Sequence, residues 1–451
     1  MSVIKSNGAG SGASDSFYNG VATQSLRFDH GSSPYLSFTP SSTGDRKIWT
    51  WSGWIKRTSL SSGDHHIYSS WDGSGSGYNA FYFSGNKLAT YFDPNNNYGT
   101  ISDRLFRDFS SWYHIVHQVD AGNTSQKVWV NGEEQTLSSG RNPANNNYQT
   151  NTSGRPMIIG KHAWGTSAYN NMQLAEVNYM DGQKYQASDF GETKNGVWIA
   201  KEPSGITYGT NGYRLQFKNT GTGTASSSTI GADTSGNNNH FTSSGIAASD
   251  CAMPDSPENN FATMNSIDNY NTGVTYSEGN LKWTIGVADG AGRATFVMTS
   301  GKWYTEFLTN ADYIGVVSGN ADIVTVNGSQ TVFYAGDGTK RVNGSSSSYG
   351  ASYSDGDIIG IALNMDDEEV TFYKNNSSQG TISLTSVGNE GYTVSPASGA
   401  GSKNATANFG QDSSFAGAKT AQGNTDGNGI GDFYYAPPSG FLAFTLLVPS
   451  P

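Results

Sequence analysis

Short hydrophobic runs interleaved with polar residues recur along the whole chain, separated by clusters of Gly, Asn, Ser and Asp. Clear examples span residues 47–55, 113–119 and 357–363, which are rich in Ile, Val, Trp and Tyr. Short runs of β-branched and aromatic residues between turn residues are typical of strands. No segment keeps a helical period for more than two turns. The pattern predicts an all-β protein with two antiparallel β-sandwiches.

Two hairpins can be predicted in detail. Residues 127–130 and 133–137 flank Asn131-Gly132, and a type I′ turn needs positive φ at both central positions, which Asn and Gly tolerate. A second hairpin is predicted around residues 374–376, between strands near 369–373 and 380–384.

Shifts in composition predict the domain boundaries. We expect a Gly/Ser arm at residues 1–20, a sandwich at 21–204, a loop-rich connector at 205–270, a second sandwich at 271–412 and a C-terminal extension at 413–451. The extension ends in an apolar, proline-bounded stretch. Because such a stretch is poorly solvated, it is expected to pack as a strand on its own domain or on a neighbour.

Charge and composition narrow the function classes. Of the 451 residues, 14% are charged and 12% aromatic, 57 are Gly, and the net charge is −11. Aromatic content at this level allows hydrophobic cores. An acidic chain without a basic patch disfavours nucleic acid and anionic membrane surfaces.

Further classes are excluded by single features of the sequence. One cysteine, Cys251, rules out an internal disulfide framework and a CxxC zinc site. No apolar run is long enough for a membrane span, and the first residues lack the apolar segment of a secretory signal. We therefore expect synthesis in a cytoplasm, followed by export on a particle or by another route.

The first strand-rich block carries an ordered series of motifs. They are Trp51–Lys56, Trp112–His117, Val128–Gly132, Ile158–Gly160 and Ala175–Tyr179. This block, about residues 25–200, resembles a laminin-G or concanavalin-like jelly roll.

The second block carries a different series. It consists of Gly301–Phe307, Tyr313–Val317, Gly356–Asn364, Val370–Asn375 and Asn408–Gln411. This block resembles a SPRY β-sandwich. Asn364 replaces the usual Asp of that family and Asn376 the usual Gly, which leaves the turn type of the second hairpin open.

The joining stretches carry a third resemblance. Residues 196–201, 208–213, 231–241, 255–263 and 426–433 with 437–441 are similar to connectors in virion proteins of marine and cyanobacterial bacteriophages. The resemblance implies a structural virion appendage, such as a tail fibre, head fibre or capsid decoration, assembled in the host cytoplasm. It also implies a homo-oligomer, with a trimer as first expectation. The arm at 1–20 is expected to dock to other virion proteins.

The sequence offers no convincing catalytic or zinc site. The acidic run Asp366–Glu369 and the pair Glu133-Glu134 follow predicted turns, so solvated hairpins are expected there. Glu176 and Glu306 alternate with apolar residues inside strands and are interpreted as structural. His114 and His117 lie three apart on a strand and so point to opposite faces, as do the adjacent His65 and His66. We therefore expect a protein that is not an enzyme and has no cofactor, calcium aside.

Calcium is the one metal with a candidate loop. Asn424, Asp426, Asn428 and Asp432 offer oxygen ligands at alternating positions, although the closing Glu of an EF-hand is missing. The alternative is an ordinary Gly/Asn/Asp turn. Laminin-G-like modules often hold calcium at a loop rim, for which the loop candidates are Asp72, Asp93 and Asp120.

Carbohydrate binding has more candidates. Exposed aromatic rings that stack on sugars are predicted in loops rich in Asn, Gly and Ser, at Tyr78, Tyr91, Tyr98, Tyr148, Trp164 and Tyr169. The alternative is that these rings pack on the sandwich or on a neighbouring subunit. Five other tryptophans are assigned to the cores: Trp51, Trp54, Trp112, Trp283 and Trp303.

These observations lead to a ranked set of functions. The first is a phage appendage that attaches to host-surface glycan through its sandwich loops. The second is a purely architectural capsid or tail component, and the least favoured is a polysaccharide depolymerase.

Overall fold

The computed structural model describes residues 2–4, 17–60, 63–73, 77–93, 97–100, 102–137, 142–164, 169–321, 327–388 and 390–446. The chain divides into two compact units: an N-terminal unit, residues 16–258, and a C-terminal unit, residues 259–451 together with 1–15. Within the described segments regular structure is almost entirely strand, which confirms the predicted all-β class. No helix in these segments is long and apolar enough to cross a membrane.

The first strands of the chain, apart from β1, belong to the N-terminal unit. They are β1 (Ser2–Ile4), β2 (Leu26–Phe28), β3 (Tyr35–Phe38), β4 (Ile48–Arg57), β5 (Asp64–Trp71), β6 (Tyr78–Ser84), β7 (Lys87–Phe92), β8 (Asn97–Thr100), β9 (Tyr113–Asp120), β10 (Ser125–Val130), β11 (Glu133–Glu134), β12 (Met157–Ile159), β13 (Met172–Asp181), β14 (Gly191–Lys194), β15 (Val197–Ala200), β16 (Tyr213–Leu215) and β17 (Thr242–Ser244).

The remaining strands belong to the C-terminal unit. They are β18 (Asn260–Phe261), β19 (Met264–Tyr270), β20 (Val274–Ser277), β21 (Lys282–Ile285), β22 (Gly290–Ala294), β23 (Phe296–Met298), β24 (Lys302–Thr309), β25 (Tyr313–Ser318), β26 (Thr331–Ala335), β27 (Thr339–Val342), β28 (Ser345–Ser348), β29 (Asp357–Asn364), β30 (Glu369–Lys374), β31 (Ser377–Ser383), β32 (Tyr392–Ser398), β33 (Lys403–Asn408), β34 (Leu442–Ala443) and β35 (Thr445–Leu446). The described helices are short 3-10 turns at His30–Ser32, Ala121–Asn123, Ala187–Asp189 and Ala248–Asp250.

Two seven-stranded sheets form the N-terminal sandwich. Sheet 1 has the order β11-β10-β9-β4-β13-β16, with β2 also paired to β13, and sheet 2 has the order β17-β3-β12-β5-β6-β7-β8. The inner faces enclose one core that includes Trp49, Trp51 and Ile55 of β4 and Phe81 of β6. Because strand side chains alternate, Trp54 of β4 points to the other face of sheet 1, where it packs with Trp112.

The segment expected to be a connector, residues 205–270, mostly belongs to the N-terminal unit. Strand β16 extends sheet 1 beside β13, and β17 extends sheet 2 beside β3. Phe217, Ile230 and Phe241 of this segment are buried in the core of the sandwich. The polar, loop-rich composition hid these contributions, because short strands and isolated core residues leave no periodic pattern.

Both predicted hairpins form, the first with the expected type I′ geometry and the second with the same geometry at a turn whose type was open. In the first, Asn131 and Gly132 have φ of 49° and 85°, and Val130 pairs with Glu133. In the second, Asn375 and Asn376 have φ of 45° and 68° between β30 and β31. Positive φ at both central residues is the requirement of a type I′ turn, so an Asn at position 376 serves in place of Gly.

Two larger sheets form the C-terminal sandwich. Sheet 3 has nine strands, with the order β1-β23-β32-β25-β26-β27-β28 and with β22 and β19 attached beside β32. Sheet 4 has eight, with the order β20-β21-β33-β24-β29-β30-β31 and with β34 beside β24. The core between them holds Trp283, Trp303 and Phe307. All five tryptophans predicted to be in cores are thus buried.

The end of the described chain packs as strand on its own unit. Strand β34 runs parallel to β24, and β35 pairs antiparallel with β18. Phe444, between these two strands, is fully buried. Residues 447–451, the last of the predicted extension, lie outside the described residues.

The predicted N-terminal arm, residues 1–20, does not end where composition suggested. The backbone of Ser2–Ile4 pairs in parallel with Phe296–Met298, and residues 5–16 lie outside the described residues. Phe17 is buried in the N-terminal unit, and the backbone N–H groups of residues 20–22 donate to the Glu258 carboxylate. Residues 17–20 therefore belong to the folded N-terminal unit.

Candidate functional site

The outer face of sheet 2, opposite the core, carries a concentration of aromatic side chains. Strands β5, β6 and β7 send Ile67, Phe81 and Leu88 into the core. Their alternate residues lie on the outer face, and the segment after β12 crosses this face. We call this surface the aromatic face and define it by His66, Trp71, Tyr78, Tyr82, Tyr91, His162 and Trp164.

Two stacked tryptophans form its most exposed part. The rings of Trp71 and Trp164 lie 6.3 Å apart at an interplanar angle of 21°. Trp164 is 50% exposed, while Trp71 and Tyr91 are half-buried. A large exposed indole fixed by a neighbouring ring offers a flat apolar surface at little entropic cost, which is the geometry that sugar rings stack on.

A polar and aromatic cluster lies beside the tryptophans. The imidazole of His66 stacks on Tyr82 at 4.9 Å, and His162 contacts both His66 and Tyr78, at 4.5 and 4.7 Å between ring centroids. Burial lowers the pKa of His66 well below its ordinary value, so its ring is neutral. Burial also raises the pKa of Tyr78, which keeps the phenol protonated.

A third group of rings extends the aromatic face toward β3. Tyr35 stacks on Tyr169 at 6.4 Å, and the Lys161 ammonium lies 4.7 Å and 5.3 Å from the centres of these two rings. Lys161 and Tyr169 also form an isolated β-bridge. These contacts fix the two ends of the segment that crosses the face.

The structure brings together most of the tyrosines and tryptophans predicted to bind carbohydrate. Tyr78, Tyr91 and Trp164 lie on the aromatic face, with Tyr169 beside it. Tyr98 is on β8 in register with Tyr91, and its side chain lies outside the described part of the chain.

Two details of that prediction were wrong. Tyr78 is not in a loop but begins β6, where it is 5% exposed. Tyr148 is 1% exposed and belongs to the core, where its ring contacts Phe92 and its hydroxyl donates to the Ala144 carbonyl. A core side chain cannot meet a ligand at the surface, so Tyr148 is removed from the candidates.

The chain matches two known protein families, and each match lies over one of the two sandwiches. Residues 30–187 match the model of the concanavalin A-like lectin/glucanases superfamily, a laminin-G type, and residues 273–412 match the SPRY domain model. The chain contains a laminin-G-like domain and a SPRY domain. This confirms both domain resemblances that the motifs suggested, over nearly the same residues.

Solved structures give only distant likenesses. The SPRY domain of human HERC1 is 16% identical, with 33% of this chain and 97% of that chain covered and a TM-score of 0.30. Mouse laminin alpha1 domains LG4-5 are 10% identical, with coverages of 97% and 91% and a TM-score of 0.30. A SAP-like pentraxin from Limulus polyphemus is 15% identical, with coverages of 36% and 78% and a TM-score of 0.29. Scores this low add no argument to the family matches. No curated protein matches the chain in sequence.

A serine and a histidine in the laminin-G-like domain lie within hydrogen-bonding distance but are not arranged for catalysis. His114 Nε2 is 3.0 Å from Ser52 Oγ, and Trp198 Nε1 donates to His114 Nδ1. The proton of the neutral ring is therefore on Nε2 and is donated to the serine, the reverse of what a general base needs. Burial lowers the pKa of His114 to about 3. The neighbouring His117 bonds Tyr68 and Gln126 on the core side, as the alternation of strand side chains predicted.

The two glutamates predicted to be structural are both buried and hydrogen-bonded. Glu176 pairs with Arg214 at 2.5 Å, and Arg214 also contacts Glu202. Glu306 of the SPRY domain accepts hydrogen bonds from the backbone N–H groups of Tyr434 and Tyr435 at 2.8 and 2.7 Å. Both carboxylates hold neighbouring segments of their own units in place.

The predicted calcium loop uses its carboxylates in the same way. Asp426 Oδ1 accepts from the backbone N–H groups of Asn428 and Ile430, and Oδ2 accepts from that of Ala443. Asp432 accepts from Ser413 and Gly423. In this structure the carboxylates of the loop therefore serve its own turns and the last strands, and calcium binding here stays a prediction.

The other calcium candidates are dispersed. Asp120 caps the turn at Asn123 and pairs with Lys184 at 2.9 Å, Asp93 is buried beside β6, and Asp72 lies at the end of β5. Within the described residues, no three His, Cys, Asp or Glu side chains come together as a metal cluster. This arrangement does not support the prediction that calcium binds at a loop rim of the laminin-G-like domain.

The SPRY domain has a cleft of about 530 Å³ that the sequence did not reveal. Its lining includes Asp312, Asp337, Asp355, Lys403 and the ring of Tyr313. The Lys403 ammonium pairs with Asp312 at 3.2 Å, so the surroundings stay negative overall. Because these residues come from four separated connections, no local motif could have identified the cleft.

Proposed function

We propose that this protein is a non-enzymatic adhesion protein that attaches to polysaccharide through the aromatic face of its laminin-G-like domain. The observation that carries the proposal is the exposed Trp164 ring held on Trp71 at the edge of a cluster of further rings. A monomeric protein has little reason to hold a half-exposed tryptophan rigidly unless another surface covers it. The phenol of the neighbouring Tyr91 supplies a hydrogen-bonding group beside the stacking surface.

The setting we propose is a bacteriophage virion appendage on a tail or head. The support is the likeness of the joining stretches to phage virion connectors, together with a pair of binding-type domains in one chain. Many copies on one particle would multiply a weak contact into stable attachment. In this setting a homotrimer and a docking role for the N-terminal arm remain our predictions.

A test of the docking role requires a shorter deletion than the arm of residues 1–20 that composition predicted. Because Phe17 and residues 20–22 pack in the N-terminal unit, a truncation should remove residues 1–16 only. Loss of the truncated chain from purified particles, with its fold unchanged by circular dichroism, supports docking. Normal incorporation contradicts it.

Two other functions compete with adhesion. A purely architectural component would be required for particle integrity without binding any host surface. A depolymerase would lower the viscosity of the polysaccharide it binds, which a viscometer detects directly. The buried Ser52–His114 pair and the buried glutamates support adhesion over hydrolysis, because none of them is exposed to a polymer.

The test of adhesion is a binding assay with a matched control. Wild-type protein is measured against host cells and immobilised polysaccharides, beside Trp164→Ala and Ile267→Ala. Ile267 is 63% exposed in the C-terminal unit, so its variant removes an exposed apolar side chain away from the aromatic face. We expect Trp164→Ala to lose about tenfold or more in affinity, roughly 1.4 kcal/mol, and Ile267→Ala to bind normally. Equal binding by both variants, or no binding by the wild type, refutes adhesion through this face.

A further inference from the structure

Two buried polar atoms beneath the aromatic face have no hydrogen-bond partner. They are the hydroxyl of Tyr78 and Nδ1 of His66, on side chains only 5% and 3% exposed. Their rings lie 6.3 Å apart on adjacent strands. Unsatisfied buried polar atoms also occur elsewhere in the protein, but these two lie side by side under an exposed aromatic surface. Such atoms cost stability unless something else satisfies them.

The imidazole of His162 lies against both groups. Its centroid is 4.5 Å from that of His66 and 4.7 Å from that of Tyr78. His162 belongs to the segment that crosses sheet 2 and is held there by Ser69, whose hydroxyl donates to the Lys161 carbonyl. The ring of His162 is only half-buried, and a hydrogen bond to the backbone of Trp164 holds it, so a ligand that reaches the two atoms has to displace this ring and replace that bond.

The chemistry of the two atoms is complementary to a pair of hydroxyl groups. One nitrogen of His66 hydrogen-bonds the backbone of Asp64, an interaction that favours the protonated ring, so that nitrogen is the donor. In the neutral ring the remaining nitrogen, Nδ1, is then an acceptor. The phenol of Tyr78 can donate or accept. Neighbouring hydroxyls on a sugar ring can donate to the first atom and accept from the second.

The charges around this position argue against an acidic sugar. The Asp64 carboxylate is close enough to contribute to the raised pKa of Tyr78, and it opposes the burial that lowers the pKa of His162. The Lys161 ammonium, which also acts on His162, is directed over the rings of Tyr35 and Tyr169. A carboxylate or sulfate brought to Tyr78 would therefore meet the like charge of Asp64, while Lys161 is held against two other rings.

We propose that Tyr78, His66 and His162 form a subsite that takes a vicinal diol of an uncharged sugar. His162 rotates away, one sugar hydroxyl donates to His66 Nδ1, and Tyr78 donates to the adjacent oxygen. Trp164 and Trp71 hold the ring of the same or the next sugar. This inference rests on the proposed adhesion function and adds to it the class of polysaccharide, a neutral one.

The decisive variant is Tyr78→Phe, which removes one oxygen and keeps the ring. If the hydroxyl serves a ligand, affinity for a neutral polysaccharide falls about tenfold, while Tm stays level or rises because an unsatisfied buried hydroxyl has gone. Tyr276→Phe, which removes a buried unsatisfied hydroxyl from β20 of the C-terminal unit, is the matched control and keeps its affinity. If only water satisfies the Tyr78 hydroxyl, Tyr78→Phe binds as the wild type does, which overturns the subsite.

A second variant and a ligand panel separate this inference from the function beneath it. His162→Ala removes the covering ring, so its affinity should equal or exceed that of the wild type. A tenfold loss instead would contradict the displacement of His162. The panel sets laminarin, mannan and dextran, which are neutral, against alginate and dextran sulfate, which are acidic.

The panel outcomes differ for the two proposals. Binding to a neutral polymer that depends on both Trp164 and Tyr78 supports both. Binding confined to the acidic polymers and lost in Trp164→Ala keeps the adhesion function and overturns the neutral diol subsite. Binding to no polymer and to no host cell overturns the adhesion function, and the subsite falls with it.

Discussion

Each unit of this protein covers one sheet of its sandwich with its own last segment, and each fixes that segment through a buried carboxylate. In the N-terminal unit, Asp255 reaches Lys56 of β4 at 3.0 Å, and both side chains are completely buried. In the C-terminal unit, Glu306 of β24 holds residues 434 and 435. The two buried carboxylates differ in their partners, which are an ammonium ion in the N-terminal unit and uncharged N–H groups in the C-terminal unit.

The difference has consequences for stability. An ion pair excluded from water is costly to form but very costly to break, because the remaining charge is left buried. When a buried carboxylate has only neutral hydrogen-bond donors, burial disfavours its ionised form and its pKa can rise. The pKa of Glu306 is accordingly raised to about 7, because burial outweighs the hydrogen bonds from Tyr434, Tyr435 and Asn408. The N-terminal unit should thus respond most to loss of a partner and the C-terminal unit to pH.

The outer faces of the sheets differ in what remains exposed on them. Segments of the chain pack against the outer faces of sheets 1 and 4, around Trp54 and Tyr304 respectively. On the outer face of sheet 2, among the described residues, the stacked Trp71 and Trp164 leave the Trp164 indole 50% exposed. An exposed aromatic surface of this kind is a natural place for a ligand.

The largest expected effect comes from breaking the buried ion pair. Lys56→Met leaves the buried Asp255 carboxylate without its ammonium partner, although the Trp112 Nε1 donor at 3.4 Å remains, and should destabilise the N-terminal unit by about 3–5 kcal/mol. Urea unfolding followed by tryptophan fluorescence measures it. Lys127→Met, at an exposed pair with Glu134, is the control and should change stability by less than about 1 kcal/mol. Similar small losses in both variants would show that the Lys56–Asp255 pair does not hold this segment.

The next effect is the pH dependence that Glu306 gives to the C-terminal unit. A carboxyl whose pKa is higher in the folded than in the unfolded state binds its proton more tightly when folded. Its contribution is therefore fully present below about pH 4.5 and is lost as pH rises through about 7. The loss amounts to about 3 kcal/mol between these limits.

Glu306→Gln removes this titration. The stability difference between pH 5 and pH 8 should shrink by about that amount relative to the wild type, as measured by urea unfolding at both values. Glu133→Gln, at the exposed hairpin of the N-terminal unit, should leave the wild-type profile unchanged. Identical pH profiles for Glu306→Gln and the wild type would mean that Glu306 does not titrate in this range.

The sequence predicted those parts of the fold that are encoded locally. Asn131-Gly132 specified its turn, because few residue pairs tolerate positive φ at both positions. Trp51 and Trp303, which lie within predicted strand motifs and were assigned to the cores, are buried. Similarly, the aromatic residues among small polar ones indicated the region of the site, and Tyr91 and Trp164 do lie together.

What the sequence could not predict depends on contacts between distant segments. Asn145–Tyr148 resembles Asn95–Tyr98 in composition, yet Tyr148 turns into the core because its neighbours across the sandwich are Trp49 and Phe92. His66 and His162 are almost a hundred positions apart, so nothing local indicated that one covers the other. The structural role of Asp426 was hidden for the same reason, since the N–H donor of Ala443 comes from a separate strand.

The smallest effect tests whether Asp426 is a structural acceptor like Glu306. Asp426→Asn keeps one oxygen for the N–H groups of Asn428 and Ile430 but loses the acceptor for Ala443, which should cost about 1 kcal/mol. Because that cost arises from a lost hydrogen bond, it should be the same with millimolar calcium as with a chelator. A ligand that binds only the folded state raises Tm with its concentration. Scanning calorimetry of the wild type and the variant, with calcium and with a chelator, therefore distinguishes a structural role of Asp426 from a metal-binding one. A calcium-dependent rise in Tm that is seen in the wild type and absent from Asp426→Asn would make this loop a metal site. A difference in Tm between the two proteins that does not change with calcium means that Asp426 holds the last strands of the C-terminal unit in place.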